Sequence, residues 1–533
     1  MGSCVRLITP LTAAIVFALG LSLPALARDS SLPEMGSSAG ELLSPQQEAE
    51  YGAETLYQLR RLGYVLEDPL IENWLDGMGH RLGAASGQSE QEFTFFMMRD
   101  REINAFATFG GYVGVNAGLV LTADSEDEVA GVLAHEISHV TQHHVLRAAE
   151  RAQKDQIPLL LAELGMVVAA QHAQSLDSNN ALGAAVISMQ ALALQRRINY
   201  SRDNEAEADR VGMQTLYRSG YDVNGMANFF ERMAAATRGD SGGYKMPAYL
   251  QDHPVTAVRI SEARDRAAQL LRESPPPTAS QAPISPLLPA GLSASGHSGP
   301  TPPLRMFAWA KERLRVLSAD NPASALREYR TIMTAAGAKP TDAQRYGMAL
   351  AQMRSGSPAA AEAGLQPLAQ TYPDNLWIGL ALADAAHLAH NDAVARKRYD
   401  ALLQSHPDNR PVSLSYALML NDIGSAEAGR RAQAVLRPLQ PDSAEDPIFQ
   451  QSFARACELA GDVPRAGEAY AEAAYLNGRA EDALNQLNGL LKRDDVDYVQ
   501  RARIESRIAA ITPIVLEMRR HGVRPQDSAR DNG

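Results

Sequence analysis

A proline-centred motif recurs at a fixed interval in the C-terminal half of the chain. Pro373, Pro407 and Pro441, each followed by aspartate, stand 34 residues apart, and Pro340 fits one interval earlier to within a residue. The segments between them are rich in alanine and leucine and read as helices. A period of 34 residues predicts that each interval folds as a pair of helices, with an apolar face that only the neighbouring pair can cover.

This period is typical of tetratricopeptide repeats. Residues 305–516 are therefore predicted to form an α-solenoid of about four repeats with a less regular continuation, and residues 517–533 a disordered tail. The groove of such a solenoid typically binds proteins or peptides, and a purely structural spacer is the alternative.

The N-terminal half carries the motif HEISH, from His135 to His139, inside an apolar helical run. On a helix, residues i and i+4 lie on one face, so both imidazoles can bind a single ion. Glu136 lies about 100° around the helix, within reach of a water on that ion. Zinc with an open fourth position activates water in this way. The alternative is an amphipathic helix that carries two histidines without a metal.

A third zinc ligand is not evident in the same helix. Gln142 and Val145 stand where the metzincin pattern requires glycine and histidine. His143 and His144 would diverge from a common ion if the helix continued, so we expect them at its exposed end.

A second acidic helix supplies a better candidate in the segment NEAEAD, residues 204–209. Glu205 and Asp209 share a face of that helix, whereas Glu207 points elsewhere. We assign Glu205 as the third ligand and Asp209 as the acceptor that orients a ligand histidine. Read alone, the segment is more typical of a solvated acidic face.

Export is predicted for residues 1–27, a signal peptide with Arg6, an apolar core at Leu11–Leu23 and an A-x-A cleavage site ending at Ala27. Its removal would leave Cys457 as the only cysteine, which excludes an internal disulfide and favours the bacterial periplasm. No later segment is apolar for long enough to span a bilayer. A net charge of −12 argues against nucleic acid as a partner.

The remaining segments complete a mainly α fold. Residues 28–43 are predicted to be flexible, residues 44–272 to form the metallopeptidase domain, and residues 273–304, rich in proline and serine, to form a linker. Phe93–Arg99 is predicted to be a buried strand, and Asn104–Leu121 a hairpin or edge strand. Its residues Gly111, Tyr112, Val113, Gly114, Val115 and Asn116 could pair with an extended substrate.

HEISH followed by NEAEAD resembles the ExxAD-type zinc metallopeptidases, which include membrane prenyl-protein proteases and stress proteases. The sequence GGYVGVN at residues 110–116 is similar to that family's strand before the zinc helix. The resemblance implies a gluzincin-type α+β domain with a small sheet. It also implies one Zn2+ per chain bound by His135, His139 and Glu205, with Glu136 as the catalytic base.

His253-Pro254 also matches that family, in which this histidine can take the fourth zinc position and keep the enzyme latent. Filling that position would remove the nucleophilic water. The alternative is a turn histidine before a helix.

A signal peptide and C-terminal repeats together resemble the periplasmic members of the family that assist β-barrel assembly. That likeness implies a metalloendopeptidase, peripheral to the outer membrane, with chaperone activity. Its clients would be unfolded or stalled outer-membrane β-barrel proteins, and the barrel-assembly complex would bind through the repeats. The alternatives are a chaperone or scaffold with a silent zinc domain, and an aminopeptidase, for which no anchor of a substrate N-terminus is recognisable.

Overall fold

The computed structural model describes residues 43–88, 90–148, 150, 201–238, 249–250, 253–273 and 304–520, the last range without 336 and 338. The predicted signal peptide, almost all of the predicted linker and the chain beyond residue 520 lie outside these ranges, as do residues 28–42 of the predicted flexible segment. None of the described helices is both long and apolar enough to cross a membrane.

Two capped helices open the described chain. Helix α1 (Pro45–Arg61) begins at a capping box in which Ser44 and Gln47 exchange hydrogen bonds, as the Ser-Pro start predicts. Helix α2 (Pro69–Ala85) begins where the Asp68 side chain accepts a hydrogen bond from the Ile71 amide. Both starts place proline in the first turn, where its missing N–H leaves no helical hydrogen bond unmade.

A three-stranded sheet follows, made of β1 (Thr94–Met98), β2 (Ala105–Ala107) and β3 (Tyr112–Asn116). The spatial order is β1-β3-β2, with β3 parallel to β1 and antiparallel to β2. The predicted buried strand and the predicted hairpin are therefore confirmed.

The expectation that Gly111, Tyr112, Val113, Gly114, Val115 and Asn116 pair with substrate is wrong. Strand β3 lies in the middle of the sheet, so its backbone groups already bond to β1 on one side and β2 on the other. The outer side of β1 is covered too, since the Leu66 amide donates to Met97 and the Arg99 amide to Tyr64, both at 2.8 Å. Among the described strands, β2 is the one whose outer edge no other strand pairs.

The chain continues through α3 (Ala117–Thr122) into α4 (Glu126–Thr141), which carries HEISH. Ser125 caps α4, and three acidic residues occupy its first turn, where they favour the positive end of the helix dipole. Nearly every residue of α4 is buried, because α2, β2 and α6 (Asn224–Arg238) pack around it. Gly131 permits a close approach of α6: a Cβ there would lie 2.7 Å from the Met226 amide nitrogen.

Two further helices complete the N-terminal unit. Residues 201–218 form α5, which carries the NEAEAD segment and ends at a turn in which Gly220 has φ +78°. Ala257–Glu273 form α7.

The C-terminal half of the described chain is entirely helical and built as six pairs, where the sequence predicted about four repeats. Each of the first four pairs is followed by the proline motif, at Pro340, Pro373, Pro407 and Pro441, and the last two pairs, which are not, form the less regular continuation. The predicted tail is shorter than expected, because the last helix continues to Arg520. The helices are α8 (Leu304–Leu317), α9 (Pro322–Thr334), α10 (Asp342–Arg354), α11 (Pro358–Thr371), α12 (Leu376–Leu388), α13 (Asp392–Ser405), α14 (Arg410–Ile423), α15 (Ala426–Leu436), α16 (Pro447–Ala460), α17 (Val463–Leu476), α18 (Ala480–Leu490) and α19 (Tyr498–Arg520).

The solenoid packs on the N-terminal unit at both of its ends. Near its start, the buried guanidinium of Arg313 forms two hydrogen bonds with the Asp68 carboxylate, at 2.8 and 2.6 Å. Near its far end, the rings of Tyr475 and Tyr57 meet edge to face at 5.4 Å. The two halves also share one continuous cluster of buried apolar side chains.

Asp68 thus has two separable functions, since it caps α2 and pairs with Arg313. Asp68→Asn should retain the cap but leave a buried guanidinium without its counter-charge, which costs about 3–5 kcal/mol of the free energy of unfolding. Ser44→Ala, which removes a cap and no ion pair, should cost only about 1 kcal/mol. Urea unfolding followed by circular dichroism measures both. Equal losses in the two variants would show that the ion pair does not hold the solenoid to α2.

Candidate metal centre

The two histidines of HEISH face each other at the centre of the N-terminal unit. Their Nε2 atoms lie 3.0 Å apart, and both residues are buried because α4 is enclosed by other elements. This confirms that the i, i+4 spacing brings both rings to one point.

Glu205 comes to the same point from α5. Its two carboxylate oxygens lie 3.4 Å from His135 Nε2 and 3.5 Å from His139 Nε2, and the residue is 5% exposed. The helix that the sequence marked as acidic therefore turns this carboxylate inward rather than to solvent.

His253 adds a fourth donor, from the segment before α7. Its Nδ1 lies 2.9 Å from Glu205 Oε1 and 3.4 Å from His135 Nε2. Its ring stacks on the buried ring of Tyr249, and its backbone amide donates to the Tyr249 carbonyl at 2.7 Å.

These four residues offer one ligand atom each, and the four atoms all lie within 4.8 Å of one another. Bonds of ~2.0–2.1 Å to a tetrahedral zinc ion would separate its ligand atoms by about 3.3 Å. Most of the separations found here, from 2.9 to 3.5 Å, are close to that value. Three imidazoles and one carboxylate are also a donor set that zinc accepts. The residues present therefore fit a divalent metal ion.

Glu136 lies beside these donors without joining them. It is 1% exposed, and its Oε1 has no hydrogen-bond partner among the described residues. His253 Nε2 is 3.8 Å from that oxygen. Burial raises the pKa of Glu136, against the lowering effect of His253 and His135. An unpartnered carboxylate oxygen next to the metal position is suited to accept a proton.

Asp209 contacts the Nδ1 side of the His135 ring, away from the other metal donors. Its Oδ1 lies 2.9 Å from His135 Nδ1, and Arg259 donates hydrogen bonds to both of its carboxylate oxygens at 2.8 Å. Arg259 also reaches Glu205 Oε2 at 2.8 Å and donates to the Pro254 carbonyl. Burial lowers the pKa of His135, but Asp209 and Glu205 outweigh it and raise that pKa to about 10. The surroundings therefore stabilise positive charge at this position.

Arg259 links three parts of the site, and this role was not predicted from the sequence. Its position five residues after Pro254, on the buried face of α7, was the available signal. The pairing of a buried arginine with two carboxylates on α5 depends on tertiary contact, which local spacing does not reveal.

The prediction of an exposed position for His144 is wrong. The sequence placed it at an exposed helix end, but it is 3% exposed and its Nδ1 lies 2.9 Å from His139 Nδ1. The expectation failed because α4 ends at Thr141 and the backbone at His143 is left-handed, with φ +52°. Glu207 does point away from the donors, as predicted, and lies 3.2 Å from His144 Nε2.

The relatives of this chain agree with the geometry. The sequence profile of peptidase family M48 matches residues 69–267. The β-barrel assembly-enhancing protease of Escherichia coli (strain K12) is 30% identical over 510 residues, which cover 94% of this chain and 95% of that protein. The chain belongs to peptidase family M48. It is accordingly a metallopeptidase.

Other relatives of this M48 peptidase match a smaller share of the chain. A Vibrio cholerae relative is 43% identical over 252 residues, which cover 46% of this chain and 50% of the relative. The mitochondrial metalloendopeptidase OMA1 of Schizosaccharomyces pombe is 31% identical over 196 residues, or 36% of this chain and 53% of that protein.

Proposed function

We propose that this M48 peptidase is a zinc-dependent endopeptidase of the bacterial periplasm that cleaves unfolded outer-membrane β-barrel proteins and also protects them as a chaperone. The observation that carries the catalytic part is the convergence of His135, His139, Glu205 and His253, with the buried carboxylate of Glu136 beside them. Because these donors fit zinc, we assign one Zn2+ per chain to them.

Zinc, when bound, supplies a Lewis acid that polarises the scissile carbonyl and acidifies water. Glu136 then accepts a proton from the attacking water at its free Oε1 and delivers it to the leaving amine. Asp209, fixed by Arg259, keeps His135 in the tautomer whose Nε2 faces the donors.

Substrate is expected to bind along β2. The outer edge of this strand is unpaired among the described strands, and the backbone of Ala107 lies close enough to Glu136 to lower its pKa by a hydrogen bond. An extended peptide added to that edge would pass Glu136, held by main-chain hydrogen bonds that accept varied side chains. Recognition of this kind requires an unfolded segment, which suits a protease for misassembled proteins.

The client class and the compartment rest on two observations. The Escherichia coli relative that matches almost the whole chain is named for enhancing β-barrel assembly. The N-terminus has the composition of a signal peptide, and Cys457 is a free, buried thiol, so the described fold requires no disulfide. The solenoid is the part proposed to bind the barrel-assembly complex, and peripheral attachment to the outer membrane would follow from that contact.

Replacing Glu136 by Gln tests the proposed base. The variant should cleave an unfolded β-barrel protein at least about 100-fold more slowly, because general base catalysis contributes that much. Its zinc content should stay near one per chain, since Glu136 is not a ligand. Initial rates from gel densitometry and metal analysis of the same sample measure both, with exposed Glu90→Gln as control. Unchanged cleavage by Glu136→Gln would refute the mechanism. Zinc binding by a wild type that never cleaves would point either to latency or to the scaffold alternative, and cleavage by His253→Ala would separate these two.

His253 is proposed to hold the enzyme latent. Its Nδ1 stands within 3.4 Å of two assigned ligands, so it takes the fourth position that substrate or water needs. Pro254 and Arg259 connect its segment to α5 through the hydrogen bond at the Pro254 carbonyl. Release of that segment would open the position without disturbing the other three ligands.

His253→Ala should therefore raise cleavage of the unfolded protein, by roughly tenfold if the histidine occupies the site about nine-tenths of the time. The control is His80→Ala, which removes an exposed histidine of the same unit. Steady-state rates at saturating zinc give the comparison. Unchanged or lower activity in His253→Ala would count against latency.

A further inference from the structure

The two ligand histidines of α4 are oriented in different ways. His135 presents its Nδ1 to the carboxylate of Asp209, whereas His139 presents its Nδ1 to another imidazole, that of His144, at 2.9 Å. His144 in turn places Nε2 at 3.2 Å from Glu207 Oε2. We propose that His144 and Glu207 are positioning residues that hold His139 in its metal-binding tautomer. This inference rests on the proposed zinc site.

Hydrogen-bond accounting gives the direction of each bond. A neutral imidazole carries one N–H and one acceptor nitrogen. If His139 uses Nε2 as a ligand, its proton is on Nδ1, so His144 Nδ1 must accept. The proton of His144 is then on Nε2, where the carboxylate of Glu207 accepts it. A carboxylate accepts and cannot donate, so Glu207 selects one tautomer of His144, and His144 selects one tautomer of His139.

The backbone is shaped to permit this contact. Residues 139 and 144 are five apart, and in a continuous helix their side chains would point about 140° away from each other. The left-handed conformation of His143 breaks the helix and turns His144 back under His139. A residue other than glycine adopts this conformation rarely, because its Cβ comes too close to the following carbonyl oxygen. Such strain persists where the surrounding structure requires it, often at functional sites.

Glu207 is the outermost residue of the hydrogen-bonded series His139–His144–Glu207, and its carboxylate is held in place in turn. Arg147 donates to the same oxygen at 3.1 Å from the short helical segment that follows His143. The Glu207 side chain is 32% exposed, whereas His144 is almost fully buried. Removal of Glu207 should therefore disturb the orientation of His144 without opening the core.

Zinc affinity of the full-length mature protein tests the pair, by competition with a chromophoric chelator and Zn2+ as the only added ligand. His144→Leu and Glu207→Ala should each weaken zinc binding by roughly 10–100-fold, the usual effect of losing a partner of a ligand histidine. His144→Asn should stay within about threefold of wild type, because the Asn carbonyl can accept where Nδ1 does. Asp203→Ala removes an exposed carboxylate one turn earlier on α5 and should change nothing.

The outcomes separate this inference from the proposed function. Wild-type affinity in both His144→Leu and Glu207→Ala would overturn the positioning role while the zinc peptidase stands. Equal weakening in His144→Leu and His144→Asn, with Glu207→Ala unaffected, would also overturn it, since only packing would then matter. If the wild type itself bound no zinc, the proposed function would fail first. Thermal unfolding of the metal-free variants verifies that each one folds.

Discussion

The metal site depends on buried carboxylates that outnumber the buried cationic side chains around them. Glu136, Glu205 and Asp209 are all less than a tenth exposed, and the guanidinium that lies among them is that of Arg259. With the ligand histidines neutral, as metal binding requires, three carboxylates against one guanidinium leave two negative charges uncompensated, the charge that one divalent cation supplies. Buried carboxylates without counter-charge are costly, so the packing of α4, α5 and α7 around this point is linked to binding of a metal.

The rest of the N-terminal unit can be understood as support for that arrangement. Helix α4 is enclosed on all sides, which fixes the direction of its two histidines, and β2 lies against it with one edge unpaired among the described strands. The solenoid continues this scaffold, since Lys311 of α8 donates to the carbonyl of Ala123, at the end of α3 just before the cap of α4. A partner bound by the solenoid would thus contact a body that is packed against α2 and α3, the helices next to the catalytic helix.

The predictable part of the site was the part set by local spacing. HEISH and NEAEAD each put two functional side chains on one helical face, so His135, His139, Glu205 and Asp209 could be assigned from the sequence. The order of strands could not, because segments of three to five residues contain no signal for which neighbour pairs on which side. His144 could not either, since the left-handed turn at His143 has no glycine to mark it. The repeat count stopped at about four because the last two helix pairs are not followed by the proline motif.

Four side chains, His253 among them, should bind one zinc ion. X-ray absorption spectroscopy of the zinc-loaded, full-length protein measures this coordination. We expect one zinc per chain, with a first shell of nitrogen and oxygen atoms at about 2.0–2.1 Å and outer-shell scattering from three imidazoles. In His253→Ala the scattering should correspond to two imidazoles. Two imidazoles in the wild type would contradict the fourth position of His253, and a sulfur shell from Cys457 would contradict the site itself.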